Sequence, residues 1–298
     1  MIRNSKVVGL AGLFGTIALV GCSGVERSSD DGYDSQSSAV DEAAATADYA
    51  AGKKLIGNYA ERVRYAAIIN QATLGNPRAV YTLYMIASIS DDPANKRVVL
   101  NERPCRLDFK ATQDVSIGFP DATVQAIGAL QSTLDVKATN GQVMWSRSTI
   151  GVPFGFRTAP GQELTGPIPT SSSSSDVIDL DADGHPGVTI HVAKKLGFLG
   201  NASGVAYFAA RINETYSNGT LTSRGNLVGK ATTTLENRIF ETHIKLGGSE
   251  LPVDLASLPL SSDPAAADKD TIELVKQTAA LSCADLQGTA DNLFAGPF

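Results

Sequence analysis

Histidine, cysteine and methionine each occur only three times in this 298-residue chain, and tryptophan occurs once. With so few imidazoles, any Ser–His–Asp site would have to draw on His185, His191 or His243. Basic charge is scarce as well. The 25 Lys and Arg stand against 31 Asp and Glu, a formal net charge of −6. That balance argues against nucleic acid as a partner, because such binders carry a basic patch. Beyond Val20 there is no second long apolar run, which excludes a polytopic helical membrane protein. G-x-S-x-G, S-x-x-K and H-E-x-x-H motifs are missing, and so is a P-loop. Gly225–Lys230 has the flavour of a phosphate loop, but the spacing is one short and Ala231 replaces the Ser/Thr. What the chain does have is 43% hydrophobic residues, enough to fill a proper core.

The N-terminus carries the clearest signal. Arg3 and Lys6 precede an uncharged apolar stretch from Val7 to Val20. At about 14 residues this falls short of the ~20 that span a bilayer, so residues 1–21 read as a signal peptide. The stretch ends in Leu19-Val20-Gly21-Cys22, which resembles the lipobox of bacterial lipoproteins. The resemblance implies that Cys22 is the lipidation site, acylated with fatty chains such as palmitate. Membrane contact then runs through an N-terminal lipid anchor. Ser23 stands where an aspartate would direct inner-membrane retention, so the outer membrane of the bacterial cell envelope is the expected address. Several chains are needed, since one is marginal at about 0.8 kcal/mol per buried CH₂. Residues 22–48, acidic and rich in Ser and Ala, read as a flexible tether reaching roughly 25–30 Å. Within it and just beyond, the Ala-rich Asp41–Lys54 also has the makings of a fraying helix.

With Cys22 lipidated, Cys105 and Cys283 remain as a pair in an oxidising compartment, and a disulfide between them is expected. Closing so long a loop is worth roughly 4–5 kcal/mol in the chain-entropy model. Two buried free thiols are the alternative.

Residues 49–298 read as a single β-rich domain. Two-residue alternation recurs at Arg106–Lys110, Thr133–Lys137, Val188–Val192, Phe240–Leu246 and Thr271–Leu274, each a strand with one face on a core. Tyr59–Ile69, Val80–Ser90, Gly141–Ile150, Gly204–Tyr216 and Leu221–Thr234 are further strands. Asn140-Gly141 and Gly247-Gly248 signal turns, and Asn218-Gly219 predicts a type I′ hairpin. Pro120–Leu130 predicts a short helix. The fold class is therefore mainly β: an antiparallel barrel of lipocalin-like form, or a sandwich, of about ten strands with one or two short helices. Residues 153–175, with three prolines after Pro153 and five consecutive serines, form an irregular crossing, and Pro252–Asp268 forms a second loop.

One constellation carries chemistry. Asp179-Leu180-Asp181-Ala182-Asp183-Gly184 is a D-x-D-x-D-G run. Carboxylates at positions 1, 3 and 5 converge on a hard cation, glycine at position 6 allows the turn, and His185 at position 7 offers its backbone carbonyl. Ile190 stands where an EF-hand needs a bidentate Glu, and Pro186-Gly187 leads toward a strand. The expected cofactor is a structural Ca²⁺ held at about 10⁻⁴–10⁻³ M. An ion-free turn built on Asx hydrogen bonds is the alternative. DLDADGHPGVT is similar to a D-x-D-x-D-G-x-P-G-V-T stretch in exported proteins and lipoproteins of deltaproteobacteria. That resemblance implies location and architecture, and no activity.

The function expected is a non-enzymatic, membrane-anchored binding or structural module, with a small apolar ligand inside the barrel as a candidate partner. Trp145, Tyr81, Tyr84, Phe208 and Phe240 would line that cavity or fill the core. A secreted polymer-acting hydrolase with a structural calcium is the second reading, for which Glu214 and Glu241 would be the paired carboxylates.

Overall fold

Among the described residues, the alternating segments become twelve antiparallel strands of one sheet. Residues 34–72, 75–197, 200–251 and 258–295 are described by this computed structural model, so the signal peptide and Cys22 lie outside them. The strands are β1 (Gly57–Ile69), β2 (Arg78–Asp92), β3 (Arg97–Ala111), β4 (Val115–Gly118), β5 (Leu130–Thr139) and β6 (Gln142–Phe154). They continue as β7 (Val188–Lys195), β8 (Asn201–Leu221), β9 (Leu227–Leu246), β10 (Ser249–Leu251), β11 (Leu260–Ser262) and β12 (Thr271–Gln277). Part of the sheet closes into a ring, β1-β2-β3-β5-β6-β8-β9-β12 and back to β1, in chain order. Its narrowest seam joins Leu227–Lys230 of β9 to Thr271–Leu274 of β12. β8 and β9 are long enough to leave the ring, and with β7, β4 and β10 they form an open wing.

The ring is filled from inside. Tyr59, Val63, Met85, Leu100, Leu134, Trp145, Leu227 and Ile272 point inward and are almost fully buried. One end is stoppered by the last turns of helix α1 (Asp34–Gly52) and the 3₁₀ turn Lys53–Leu55, which insert Ala51 and Leu55. The flexible tether expected at 22–48 is thus helical from Asp34 onward. Alanines dominate 43–51, the best helix formers, and tertiary bonds hold the last turns. The Asp48 carboxylate accepts from the Ala138 amide at 2.8 Å, and the Tyr49 hydroxyl donates to Asp91 at 2.7 Å.

The wing has its own core of Ile69, Ile117, Phe154, Val188, Ile190 and Phe208, joined by Phe119. The three Phe centroids lie 5.9–6.4 Å apart in tilted and edge-on pairs. On the outside of the barrel, α3 (Cys283–Leu293) opens with a reciprocal Ser282–Asp285 capping box and buries Leu286 and Ala290 against Ala60, Tyr84 and Cys105. Cys105 and Cys283 are disulfide-bonded, fastening α3 to β3 across 178 residues.

Several local expectations shift. Asn218-Gly219 is no hairpin: it sits inside β8 as a bulge, and the chain reverses instead at Thr222–Asn226, where Gly225 has φ +82°. The reason is tertiary. A Cβ on Gly219 would lie 2.3 Å from the Trp145 ring, so the glycine serves the lumen and not a turn. The expected strand Leu221–Thr234 is split: Leu221 ends β8, and the part from Leu227 fuses with Phe240–Leu246 into β9, while the helix expected from Pro120 shortens to α2 (Asp121–Gln125). The crossing runs from the end of β6 to β7, and the Pro252–Asp268 loop contains β11 and a 3₁₀ turn, Pro264–Lys269. Its residues 252–257 are outside the described part.

Candidate metal centre

The D-x-D-x-D-G run forms a closed loop where the crossing returns to the sheet. Two backbone bonds, Leu180 N to Gly187 O and Gly187 N to Ile178 O, both 3.0 Å, pinch its neck. Gly187 has φ +88°, and a Cβ there would lie 2.3 Å from the Phe208 carbonyl oxygen, so only glycine lets the neck lie flat on β8.

Inside the loop the carboxylates converge. One oxygen from each of Asp179, Asp181 and Asp183 lies within 4.8 Å of the others. Asp179 accepts from the amides of Asp183 (3.1 Å) and Gly184 (2.9 Å), and Asp183 accepts from the His185 amide (2.9 Å) and the Thr189 hydroxyl. Asp181 is half-buried. Its Oδ2 accepts from the Thr189 amide (3.0 Å) and from the Thr123 hydroxyl of α2 (3.1 Å). Its Oδ1 is buried with no hydrogen-bond donor. Three carboxylates at this separation repel one another, and only the bare Oδ1 lacks a compensating donor. The donor set, all oxygen and carboxylate-rich, suits a hard cation such as Ca²⁺.

The His185 side chain is engaged elsewhere. Its ring stacks on Tyr207 with centroids 4.1 Å apart, and Nε2 lies 3.2 Å from the Tyr207 hydroxyl. Tyr207 in turn meets His243 edge-on at 5.7 Å, and His243 Nε2 lies 2.8 Å from Glu241. Burial and the nearby Asp183 charge hold the Tyr207 phenol above its ordinary range. His191 is exposed on β7.

The structure separates Glu214 from Glu241. Glu241 is exposed beside His243, whereas Glu214 is buried in the lumen on Arg147, so they do not face each other as a glycosidase pair. Of the aromatics expected around one cavity, Trp145 lies in the lumen, Phe208 in the wing core, and Tyr84 beneath α3. The lumen is taken up by side chains. A small apolar cleft lies instead in the wing, about 40 Å³ in volume, between Tyr81, Ile117, Phe119, Phe208, Ile239 and Leu260.

A second constellation went unread in the sequence. Midway along the lumen, Arg147 Nη1 donates to both oxygens of Glu102 (2.9 and 2.6 Å), and Nη2 donates to Glu214 Oε1 at 2.7 Å. The guanidinium lies 3.5 Å over the Tyr216 ring, and Glu61 completes the group. The signal was present in the period of two. Tyr59-x-Glu61-x-Val63, Val98-x-Leu100-x-Glu102 and Val143-x-Trp145-x-Arg147 each set one charge on an otherwise apolar face.

Comparison with known proteins finds no matching family model, no matching curated protein and no matching solved structure.

Proposed function

We propose that this chain is a lipid-anchored module of the bacterial cell envelope, held to the outer membrane through Cys22, with a rigid, non-enzymatic β-barrel body. Its role is binding or structural. The observation that carries the reading is the Cys105–Cys283 bond, which belongs with an oxidising compartment and with the export signal that precedes it. The filled lumen and the α1 stopper favour a structural body over a carrier of the lipocalin kind. The apolar cleft in the wing, at about 40 Å³, falls far short of the ~300–1,000 Å³ of ordinary ligand sites. A Ca²⁺ ion in the Asp179–Asp183 loop is part of the proposal. Asp181 Oδ1, buried and without a donor, supports it, and the ion would staple the crossing to the wing.

Mass spectrometry of the N-terminal peptide, taken from the membrane fraction of the producing cell, tests the anchor. The expected product begins at Cys22 and carries acyl chains. A soluble product that begins at Met1, or one with an unmodified Cys22 thiol, removes the proposal.

A further inference from the structure

Tyr216 has one hydroxyl proton, yet its oxygen lies 2.5 Å from Glu214 Oε1, 2.9 Å from Glu102 Oε1 and 3.2 Å from Glu61 Oε1. A single proton serves one of these contacts. The others are oxygen–oxygen repulsions between buried groups unless a carboxyl brings a proton of its own.

The charge count leads the same way. Among the described residues, Arg147 is the one guanidinium bonded to these carboxylates, and it is committed to Glu102 and Glu214. Glu61 receives no bond from it, is fully buried, and leaves Oε2 without a partner. No compensating charge comes from the adjacent strands either, since its register neighbours are Met85 on β2 and Leu274 on β12. The titratable groups around it are Glu102 from β3, Arg147 from β6, and Glu214 and Tyr216 from β8. Tyr59 and Tyr65 flank it on β1, and Tyr81 of β2 stacks on Tyr65.

We propose that Glu61 stores a structural proton, and that this five-residue cluster is a pH-sensitive lock on the barrel. Protonated, the cluster ties β1, β3, β6 and β8 together through the lumen. At alkaline pH, loss of the proton sets a third negative charge beside one guanidinium and loosens the β1 side of the ring. Burial, and after it the Glu102 charge, pushes the Glu61 carboxyl well above the usual carboxylate range, in line with this geometry. The folded chain then binds the proton more tightly than the unfolded chain. Stability is fullest below the ordinary carboxylate range and declines as pH climbs from there through the folded value.

Infrared spectroscopy and urea unfolding of the whole chain test the lock. At neutral pH a protonated-carboxyl stretch is expected, and Glu61→Gln should diminish it. In the wild type the unfolding equilibrium constant should rise by about tenfold per pH unit in its steepest stretch, the signature of one proton. In Glu61→Gln, which mimics the protonated acid, that slope should flatten and the variant should outlast the wild type at alkaline pH. Absence of the acid stretch in the wild type, or equal slopes in both proteins, overturns the proposal. If Glu61→Gln fails to fold, the wild-type stretch and slope decide alone.

Discussion

The barrel lumen and the wing core solve the same problem with different chemistry. The wing core is built on aromatic and aliphatic side chains such as Phe154, Ile190 and Phe208, and its defect is a small apolar cleft. The lumen packs aliphatic and aromatic side chains around a buried ion cluster, and its defect is polar atoms without partners: Glu61 Oε2, Arg147 Nε and Thr233 Oγ1. An apolar core is forgiving, because a misplaced methyl costs only contacts. A buried ion cluster punishes any missing partner, because desolvation has already been incurred. The closed ring therefore has a centre in which the registers of β1, β3, β6 and β8 are checked by charge, while the open wing relies on shape.

Removing the cation should show the largest contrast. Arg147→Leu strands Glu102 and Glu214 without their counter-charge and should cost about 4 kcal/mol, measured by urea unfolding. A loss below about 1 kcal/mol would mean the cluster is not a structural unit, since exposed ion pairs already account for that much. Phe208→Ala, at the centre of the wing, should cost about 3 kcal/mol through transfer and cavity terms. Its effect on amide exchange should stay in β4, β7 and β10. Equal loss of protection in β1 and β2 would show that wing and barrel are one cooperative unit and erase the distinction. The smallest effect belongs to the loop on the wing's edge. Calcium at about a hundred times its dissociation constant should stabilise the wild type by about 2.7 kcal/mol, and Asp181→Asn should abolish most of that gain. Identical melting curves in calcium and in EDTA would leave the loop as an ion-free turn.

Strand positions were legible where a strand has one wetter and one drier face, as β5 does, because that asymmetry is written at a period of two. Asn140-Gly141 and Gly247-Gly248 were legible as turns because both residues of each pair adopt positive φ, which few other residue pairs tolerate. The three-aspartate loop could be read for a similar reason, since its spacing is local. Asn218-Gly219 misled because a long-range neighbour, the Trp145 ring, claimed the glycine. The fused β9 was hidden by an irregular pairing with β8 at Tyr207/Phe208, which shifts the register partway along. α3 went unread although Ser282 and Asp285 spell a capping box, since a short helix draws its stability from the surface it covers. The lumenal cluster was the deepest omission. Glu61, Glu102 and Arg147 are each a lone ionisable residue in an apolar alternation, and only the closed ring brings them together with Glu214 and Tyr216.

The bridge between Cys105 and Cys283 also sets an order of events. Cys105 precedes its partner by 178 residues, so the bond cannot form until the strands β4 to β12 between them have been delivered. Through that interval the only other thiol is at position 22. On the proposed reading, a lipid placed there early would do more than anchor: it would take a competing thiol out of reach before Cys283 arrives.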